Sequence, residues 1–218
     1  GIRNYDLREI EETNRILTSS ISDINFANHA NNKKNLIKEN ITGKIYITGS
    51  TVYSSLLNQG LVDEDTKSED YILITLHRPI NVDNIDKLNK LLKTLDSLGI
   101  KFIFPIHPRT EKNLKSKNFK NIEFIKPLSY KKFIKLLKNS KMVISDSGGL
   151  QEECVIFRKP LVIPLDNPIR PELVNKFNVL IREPKYISKE ISSIMEGTSV
   201  LSKIQNIDNN IYGKEEVI

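Results

Sequence analysis

The nine residues from Ser145 to Glu153, SDSGGLQEE, combine side chains and glycines that could bind a phosphorylated ligand. They follow a short apolar run typical of a strand and precede a helical pattern. Gly148 and Gly149 would let the backbone come close to a ligand, and the free N–H groups at a helix start attract anions. Ser147 adds a hydroxyl donor. The pattern predicts a phosphate site.

Two glutamates, Glu152 and Glu153, lie one helical turn beyond the glycines. A carboxylate there can accept two hydrogen bonds from the hydroxyls of a ribose. Phosphate at the helix start and a ribose at a nearby glutamate together indicate a nucleotide. The simpler alternative, a glycine-rich turn with a capping acid, is disfavoured because strand, turn, helix and acid occur in the order that nucleotide binding needs.

Basic residues follow three other predicted strands. His77 and Arg78 come after YILIT, His107 and Arg109 after KFIFPI, and Arg170 after PLVIPL. Arginine offers a fork of donors to phosphate, and histidine can be cationic. The carboxyl ends of parallel strands meet at one edge of a sheet, so we expect these residues to face one ligand.

Apolar runs alternate with amphipathic helices from Ser68 to Ile194. Strands that are apolar throughout are typical of a parallel sheet covered on both faces, so the pattern predicts a doubly wound α/β domain. Before it lies a shorter α/β pattern, too small for a sound core of its own. Its first helix should direct Ile16, Leu17 and Ile21 inward. The acidic stretch NQGLVDEDTKSED reads as a linker, which predicts domains at 1–63 and 64–218.

Composition narrows the classes of function. The 218 residues are 39% hydrophobic and 28% charged, which is typical of a globular protein. The net charge of +6 indicates a solvated basic surface, with attraction of an anionic ligand as the alternative. No basic run is interleaved with aromatics, so no nucleic acid is expected. No apolar run is long enough for a membrane span.

Cysteine and histidine are scarce. The one cysteine, Cys154, cannot form a disulfide framework or a thiolate metal site, which suits the cytoplasm. Three histidines and no carboxylate cluster with ligand spacing predict that no metal is needed.

Five motifs occur in the order known from one enzyme family: GIRNYDLREIEETNRILT, TLHRPINVDN, PIHPRT, KPLSYKKFIKLLKNSKMVISDSGGLQEE and KPLVIPLDNPIRPE. Over residues 1 to about 176 the chain resembles the non-hydrolysing UDP-N-acetylglucosamine 2-epimerases, with a faint echo in NNIYGKEE. The resemblance implies two Rossmann-like domains of the glycosyltransferase-B type, the N-terminal one incomplete, with a UDP-sugar between them. It also implies a cytoplasmic enzyme without a cofactor, a homodimer at full length, that makes precursors of surface polysaccharide.

The family reaction inverts C2 of the sugar, by elimination of UDP to a glycal and re-addition, and yields UDP-N-acetylmannosamine. By resemblance, Glu11 is a catalytic carboxylate and His77 lies beside the leaving diphosphate. Glu153 would bind the ribose, and Ser147, Gly148 and Gly149 the diphosphate. The resemblance implies substrate binding by Arg78, His107, Ser147, Gly148, Gly149, Glu153 and Arg170.

The chain departs from the family pattern in three ways. Ile80 and Ile169 replace family residues in the HRxEN and TERPE motifs. The chain begins with Gly1, inside the family pattern, so we expect the opening strands and further catalytic carboxylates to be absent. Nothing would then fix Glu11 against the sugar, and this chain alone would be nearly inactive.

Two alternatives compete with an epimerase. One is a UDP-sugar binding or regulatory module that has lost catalysis, and the other is a glycosyltransferase of the same architecture. The match through EETNR lies outside the nucleotide motifs and therefore favours the epimerase lineage over the transferase.

Overall fold

Two parallel β-sheets organise the chain in the computed structural model, which describes residues 1–62, 68–165, 167, 170–208 and 211–212. The predicted domain boundary, most of the acidic part of the linker, and Ile169 lie outside the described residues.

The first sheet has two strands in the described residues, β1 and β2, paired in parallel with Ile24 opposite Lys44. Three helices accompany them. The elements of this smaller unit are α1 Ile10–Ile21, β1 Ile24–Ala27, α2 Ala30–Lys38, β2 Lys44–Ile47 and α3 Thr51–Asn58.

The second sheet has six parallel strands in the described residues, in the order β5-β4-β3-β6-β7-β8. Two short 3-10 helices, Pro171–Leu173 and Val200–Asn206, complete this larger unit. Its strands and α-helices are β3 Ile72–Thr75, α4 Pro79–Val82, α5 Ile85–Asp96, β4 Phe102–Pro105, α6 Pro108–Lys112, β5 Ile122–Ile125, α7 Tyr130–Asn139, β6 Met142–Ser145, α8 Leu150–Ile156, β7 Leu161–Ile163, β8 Asn178–Leu180 and α9 Pro184–Met195.

Helices cover both faces of the larger sheet, which confirms the doubly wound prediction. On one face, Leu92 of α5 and Ile187 of α9 pack in a cluster with Ile72 of β3. On the other, Leu137 of α7 packs in a cluster with Leu73 of β3. Adjacent β3 residues thus bury opposite sides of the strand, which explains why the strand is apolar throughout.

Helix α1 differs from its prediction. Leu17 and Ile21, expected to face inward, are 58% and 85% exposed. The buried side chains of α1 are polar, Glu12 and Ser19. Periodicity correctly located the helix, but the side of α1 that packs against the described residues is the polar one.

A buried carboxylate, Glu152 at the start of α8, joins the smaller unit to the larger one. It accepts hydrogen bonds from Ser50 and, at 3.2 Å, from Asn28 Nδ2, two residues that follow β2 and β1. On its other side it forms an ion pair with Arg170. Both side chains of this pair are at least nine-tenths buried, so the contact lies in a low-dielectric environment.

Tyr212 strengthens the same junction from the C-terminal part of the chain. Its ring lies 5.5 Å from the Arg170 guanidinium, and its carbonyl accepts a hydrogen bond from the Ser50 N–H at 3.0 Å. Its hydroxyl donates to Glu172 at 2.7 Å. A residue late in the sequence therefore contacts both units.

We expect Glu152→Ala to lower the free energy of unfolding by about 3–5 kcal/mol, because it leaves the buried Arg170 without its carboxylate. Urea denaturation of the 218-residue chain measures this change. Glu152→Ala combined with Arg170→Leu should cost less than Glu152→Ala alone, since no buried charge is then left unpaired.

Asp83→Ala serves as the matched control. Asp83 forms an ion pair with Arg109 at 2.7 Å, but both side chains are about half exposed. Exposed pairs contribute little, so the unfolding free energy should stay nearly unchanged. Equal effects of Glu152→Ala and Asp83→Ala would contradict the role given to the buried junction.

Candidate functional site

The strand order places one crevice at the middle of the larger sheet. From β3 the chain proceeds outward through β4 and β5, whereas β6, β7 and β8 proceed in the opposite direction. Adjacent strands β3 and β6 therefore form the topological switch point, where open α/β sheets bind ligands. Thr75 and Ser145 are register partners at the ends of these strands. The segments that follow them, one with His77 and one with the glycines, consequently lie side by side.

Asp146, directly after β6, connects these two segments. It is fully buried. Its carboxylate accepts hydrogen bonds from the backbone N–H groups of His77 at 3.1 Å and Arg78 at 3.0 Å. It also accepts from Asn81 Nδ2 at 2.9 Å and lies 3.1 Å from His77 Nδ1. Asp146 thereby fixes the position of the HRPIN segment above the sheet.

The pKa of Asp146 follows from these contacts. Burial by itself raises the pKa, but hydrogen bonds from His77, Asn81 and the Arg78 backbone outweigh it, so the pKa lies below its ordinary value. No sequence pattern singled out a role for this residue. An acid directly after a buried strand, within SDSGG, was the available signal.

A cavity of about 910 Å³ opens beside this segment, between it and α1. Its lining is rich in guanidinium groups and also contains three acids, Asp6, Glu9 and Glu11. Such a concentration of cationic donors favours an anionic ligand. The arginines of the lining are Arg8, Arg15, Arg78, Arg109, Arg170 and Arg182.

Glu11 faces this cavity and has two cationic neighbours. It pairs with Arg15, and its Oε2 lies 3.5 Å from Arg78 Nη2, on the opposite wall. Its side chain is 58% exposed. Within the described residues Glu11 thus lies at ion-pair distance from both walls of the cavity, and the expectation that nothing fixes it against the sugar stays a prediction.

The neighbouring Glu12 has a structural role. It is buried, and one of its oxygens accepts the backbone N–H groups of Asn4 and Tyr5 at 3.1 and 3.0 Å. Its other oxygen lies 3.1 Å from Arg15 Nη1. Of the two adjacent glutamates, Glu11 is thus the one open to a ligand.

The glycines also line the cavity. Gly149 has φ −68°, an ordinary helical value, so the backbone conformation does not require glycine there. A Cβ built on Gly149 meets nothing within 4 Å, since it would project into open space. Ser147 Oγ is a weak acceptor for the Leu150 N–H at 3.5 Å and does not line the cavity.

Arg170 brings an unsatisfied donor to the same wall. Its Nε donates to the Gly148 carbonyl at 3.3 Å, while Nη1 is buried and has no hydrogen-bond partner among the described residues. A buried donor without a partner is costly, and ligand oxygens could satisfy it.

Like Ser147, two further expected binding residues lie outside the cavity lining. Glu153 is buried and accepts a hydrogen bond from the Tyr130 hydroxyl at 2.7 Å; burial raises the pKa of its carboxyl. His107 caps α6 through its Nδ1, which accepts from the Arg109 N–H at 3.2 Å, and its ring lies 6.5 Å from that of His77. The structure therefore gathers Glu11, His77, Arg78, Gly148, Gly149 and Arg170, and leaves Ser147, His107 and Glu153 at the margin.

Ile80 is half exposed and lines the cavity where the family motif has a glutamate. With isoleucine at this position, the wall that faces Glu11 carries one negative charge fewer than the family motif would give it.

Within the described ranges, no group of three or more His, Cys, Asp or Glu residues is placed to hold a metal ion. Over the same ranges, no helix has both the length and the apolarity needed to cross a bilayer.

Comparison with known proteins gives consistent matches. The UDP-N-acetylglucosamine 2-epimerase family model matches residues 1–217. A Methanococcus maripaludis UDP-N-acetylglucosamine 2-epimerase is 38% identical over 198 residues, covering 80% of this chain and 54% of the relative. A Pseudomonas aeruginosa relative, UDP-2,3-diacetamido-2,3-dideoxy-D-glucuronate 2-epimerase, is 33% identical over 229 residues, covering 98% of this chain and 62% of its own length.

Solved structures agree. The Methanocaldococcus jannaschii UDP-GlcNAc 2-epimerase, in complex with UDP-GlcNAc and UDP, superposes with a TM-score of 0.81 at 33% identity. The match covers 98% of this chain and 63% of that one. The Neisseria meningitidis enzyme bound to UDP-GlcNAc gives a TM-score of 0.80 at 29% identity, covering 98% and 64%. The fold is thus of the glycosyltransferase-B type, and this chain spans about three fifths of the length of these neighbours.

The family match over nearly the whole chain and the likeness to ligand-bound epimerases agree with the cavity at the switch point. The chain belongs to the UDP-N-acetylglucosamine 2-epimerase family.

Proposed function

We propose that residues 1–218 belong to an isomerase that interconverts UDP-N-acetylglucosamine and UDP-N-acetylmannosamine. The observation that carries the proposal is the arginine-rich cavity in which His77, held by Asp146, faces Glu11 of the other unit. Such a site offers donors for a diphosphate on one wall and a carboxylate for a sugar on the other. In this proposal the larger unit, residues 64–218, binds UDP, and residues 1–63 belong to the sugar-binding domain.

Elimination of UDP begins the reaction. The C2 proton of the sugar is not acidic, so departure of the diphosphate must lead as the bond between C1 and oxygen breaks. His77, Arg78 and Arg170 would stabilise the charge that develops on the leaving oxygens. The C2 proton is lost to a carboxylate, and a C1–C2 double bond forms in the glycal.

Re-addition completes the inversion. A proton reaches C2 from the opposite face, and the diphosphate oxygen bonds again to C1. In this proposal Glu11 would transfer the proton on the sugar side; its position across the cavity from Arg78 supports this role. It lies within ion-pair distance of Arg15 and Arg78 in the absence of a ligand.

The ribose would bind at Glu153. This carboxylate follows the cavity glycines by one helical turn and has one hydrogen-bond partner at its Oε1, Tyr130. Ser147 and His107 would contribute at the margin of the diphosphate. We further propose a homodimer at full length, residence in the cytoplasm and a role in making precursors of surface polysaccharide, in line with the family resemblance.

The alternative of a catalytically inactive UDP-sugar binding module shares the nucleotide site and differs on the sugar side. Glu11, already held at the cavity, favours catalysis. The Pseudomonas aeruginosa relative is named for a different sugar nucleotide, so inversion at C2 is what the named relatives share.

Glu153→Ala should weaken UDP binding by about 1–3 kcal/mol, through loss of hydrogen bonds to the ribose. Calorimetry with the 218-residue chain measures this. Binding of inorganic diphosphate, which has no ribose, should be unaffected by the same change.

The control for this change is Glu123→Ala, a half-exposed glutamate on β5 that pairs with Lys101. It should leave UDP binding as in the wild type. Equal affinity of the wild-type chain for UDP and for inorganic diphosphate would exclude a ribose site at Glu153.

Gly149→Ala should weaken UDP binding at least tenfold while changing the unfolding free energy by no more than about 1 kcal/mol. The added methyl group meets no protein atom within 4 Å and projects into the space proposed for the diphosphate. Calorimetry and urea denaturation of the same sample separate the two effects.

Gly99→Ala should give the opposite pattern. Gly99 has φ +69° just after α5, so alanine there should cost about 1–2 kcal/mol of stability and leave UDP affinity unchanged. Unchanged UDP affinity in Gly149→Ala would refute the placement of the diphosphate against this glycine.

In a protein of the relatives' length that carries residues 1–218, we expect Glu11→Gln and His77→Ala each to lower kcat by about 10²–10⁴-fold. Glu11→Gln removes the proton acceptor, and His77→Ala removes a donor to the diphosphate. Turnover in deuterated water should place deuterium at C2 of the product, which mass spectrometry detects.

The deuterium experiment separates the enzyme from the binding module. A protein that binds the UDP-sugar but incorporates no deuterium over a long incubation would replace the epimerase proposal with the binding-module alternative.

A further inference from the structure

We propose that Asp146 is a positioning residue that holds the His77 ring with the proton on Nδ1 and with Nε2 directed at the ligand. The proposal rests on the proposed function only in taking the diphosphate of a UDP-sugar as that ligand. Nothing in the motif comparison assigns a role to this aspartate. Its evidence is the hydrogen bonding around one carboxylate at the switch point.

Both oxygens of Asp146 are used as acceptors. Oδ1 receives the His77 backbone N–H at 3.1 Å and lies 3.1 Å from His77 Nδ1. Oδ2 receives the Arg78 N–H at 3.0 Å and Asn81 Nδ2 at 2.9 Å, and it shares the His77 backbone N–H with Oδ1, at 3.2 Å. The side chain is fully buried, so water does not compete for these oxygens.

This arrangement determines the tautomer of His77. An ionised carboxylate accepts hydrogen bonds but cannot donate them, so Nδ1 must carry the proton that lies between it and Oδ1. The other ring nitrogen, Nε2, is left for a ligand, and the His77 side chain is 46% exposed at the cavity. Once protonated, Nε2 can donate a hydrogen bond to an oxygen of the departing diphosphate.

The contact of Asn81 with Asp146 gives a structural reason for the asparagine at the end of the HRPIN segment. It lies three residues after Arg78, is buried, and directs its amide at Oδ2. Together with the Arg78 N–H it occupies that oxygen and leaves Oδ1 for His77. The asparagine of HRPIN therefore acts on the ligand site through Asp146, whereas Ile80 next to it faces the cavity.

The isosteric variant Asp146→Asn tests the proposal. Asparagine has a single acceptor oxygen. Because the Arg78 N–H and Asn81 Nδ2 both need an acceptor at the Oδ2 position, we expect that oxygen to lie there. Its NH₂ group then faces His77 Nδ1 and needs an acceptor there, so the proton should move to Nε2. A purely structural link between the two segments would not require this change.

The ¹⁵N spectrum of histidine side chains measures the tautomer without any ligand. The chain has three histidines, His29, His77 and His107, and comparison with His77→Gln identifies the His77 signals. We expect Nδ1–H in the wild type and Nε2–H in Asp146→Asn. In calorimetry, Asp146→Asn should also weaken UDP binding about tenfold or more, because loss of the carboxylate charge disfavours the doubly protonated, cationic ring that would face the diphosphate.

Asp86→Asn provides the control. It makes the same chemical change at an exposed residue, which pairs with Lys115 at 2.5 Å, and should leave both the His77 signals and UDP affinity as in the wild type. An Nε2–H signal for wild-type His77 would overturn the proposal, even if Asp146→Asn fails to fold. An unchanged tautomer in folded Asp146→Asn would overturn it as well.

Failure of the proposed function gives a different result. If the wild-type chain bound no UDP while His77 carried its proton on Nδ1 in an Asp146-dependent way, the UDP site would be refuted and the positioning by Asp146 supported.

Discussion

A carboxylate buried between two strand ends is the interaction on which the candidate site depends. Asp146 lies where the direction of strand addition reverses, and its acceptors hold the HRPIN segment against the glycine segment. The strands fix the backbone positions to within a residue, because Thr75 and Ser145 are register partners. The Asp146 carboxylate then orients the His77 ring relative to these strand ends. The same residue therefore determines both how the two segments lie against each other and how the His77 ring is held.

The cavity opposite this residue is held together by charges that a ligand would rearrange. Arg78 and Arg15 both pair with Glu11 of α1, and Arg170 pairs with Glu152. A diphosphate that takes up these guanidinium groups would compete with the carboxylates for them. Binding of an anion and release of Glu11 from its ion pairs would then be linked by ordinary electrostatics.

Much of this could be predicted from the sequence, because continuous apolar strands and helical periodicity report burial directly. The alternation located β3 to β7 and the helices α5 to α8, and the strand-end rule gathered His77, Arg78 and Arg170. Two kinds of feature escaped. The three-residue strand β8 is too short to show a pattern. The roles of Asp146 and Glu152 depend on partners distant in sequence, such as Asn81 and Ser50, which no local pattern reveals.

The outward-facing apolar side chains of α1 bear on how the molecule folds. Burying a leucine or isoleucine contributes about 1.5–3 kcal/mol, and α1 gains little of this because Ile10, Leu17 and Ile21 remain largely exposed. The larger sheet, by contrast, has apolar clusters on both faces. In residues 1–218 taken by themselves, local opening of the helix that carries Glu11 therefore requires less free energy than opening of the sheet that carries His77.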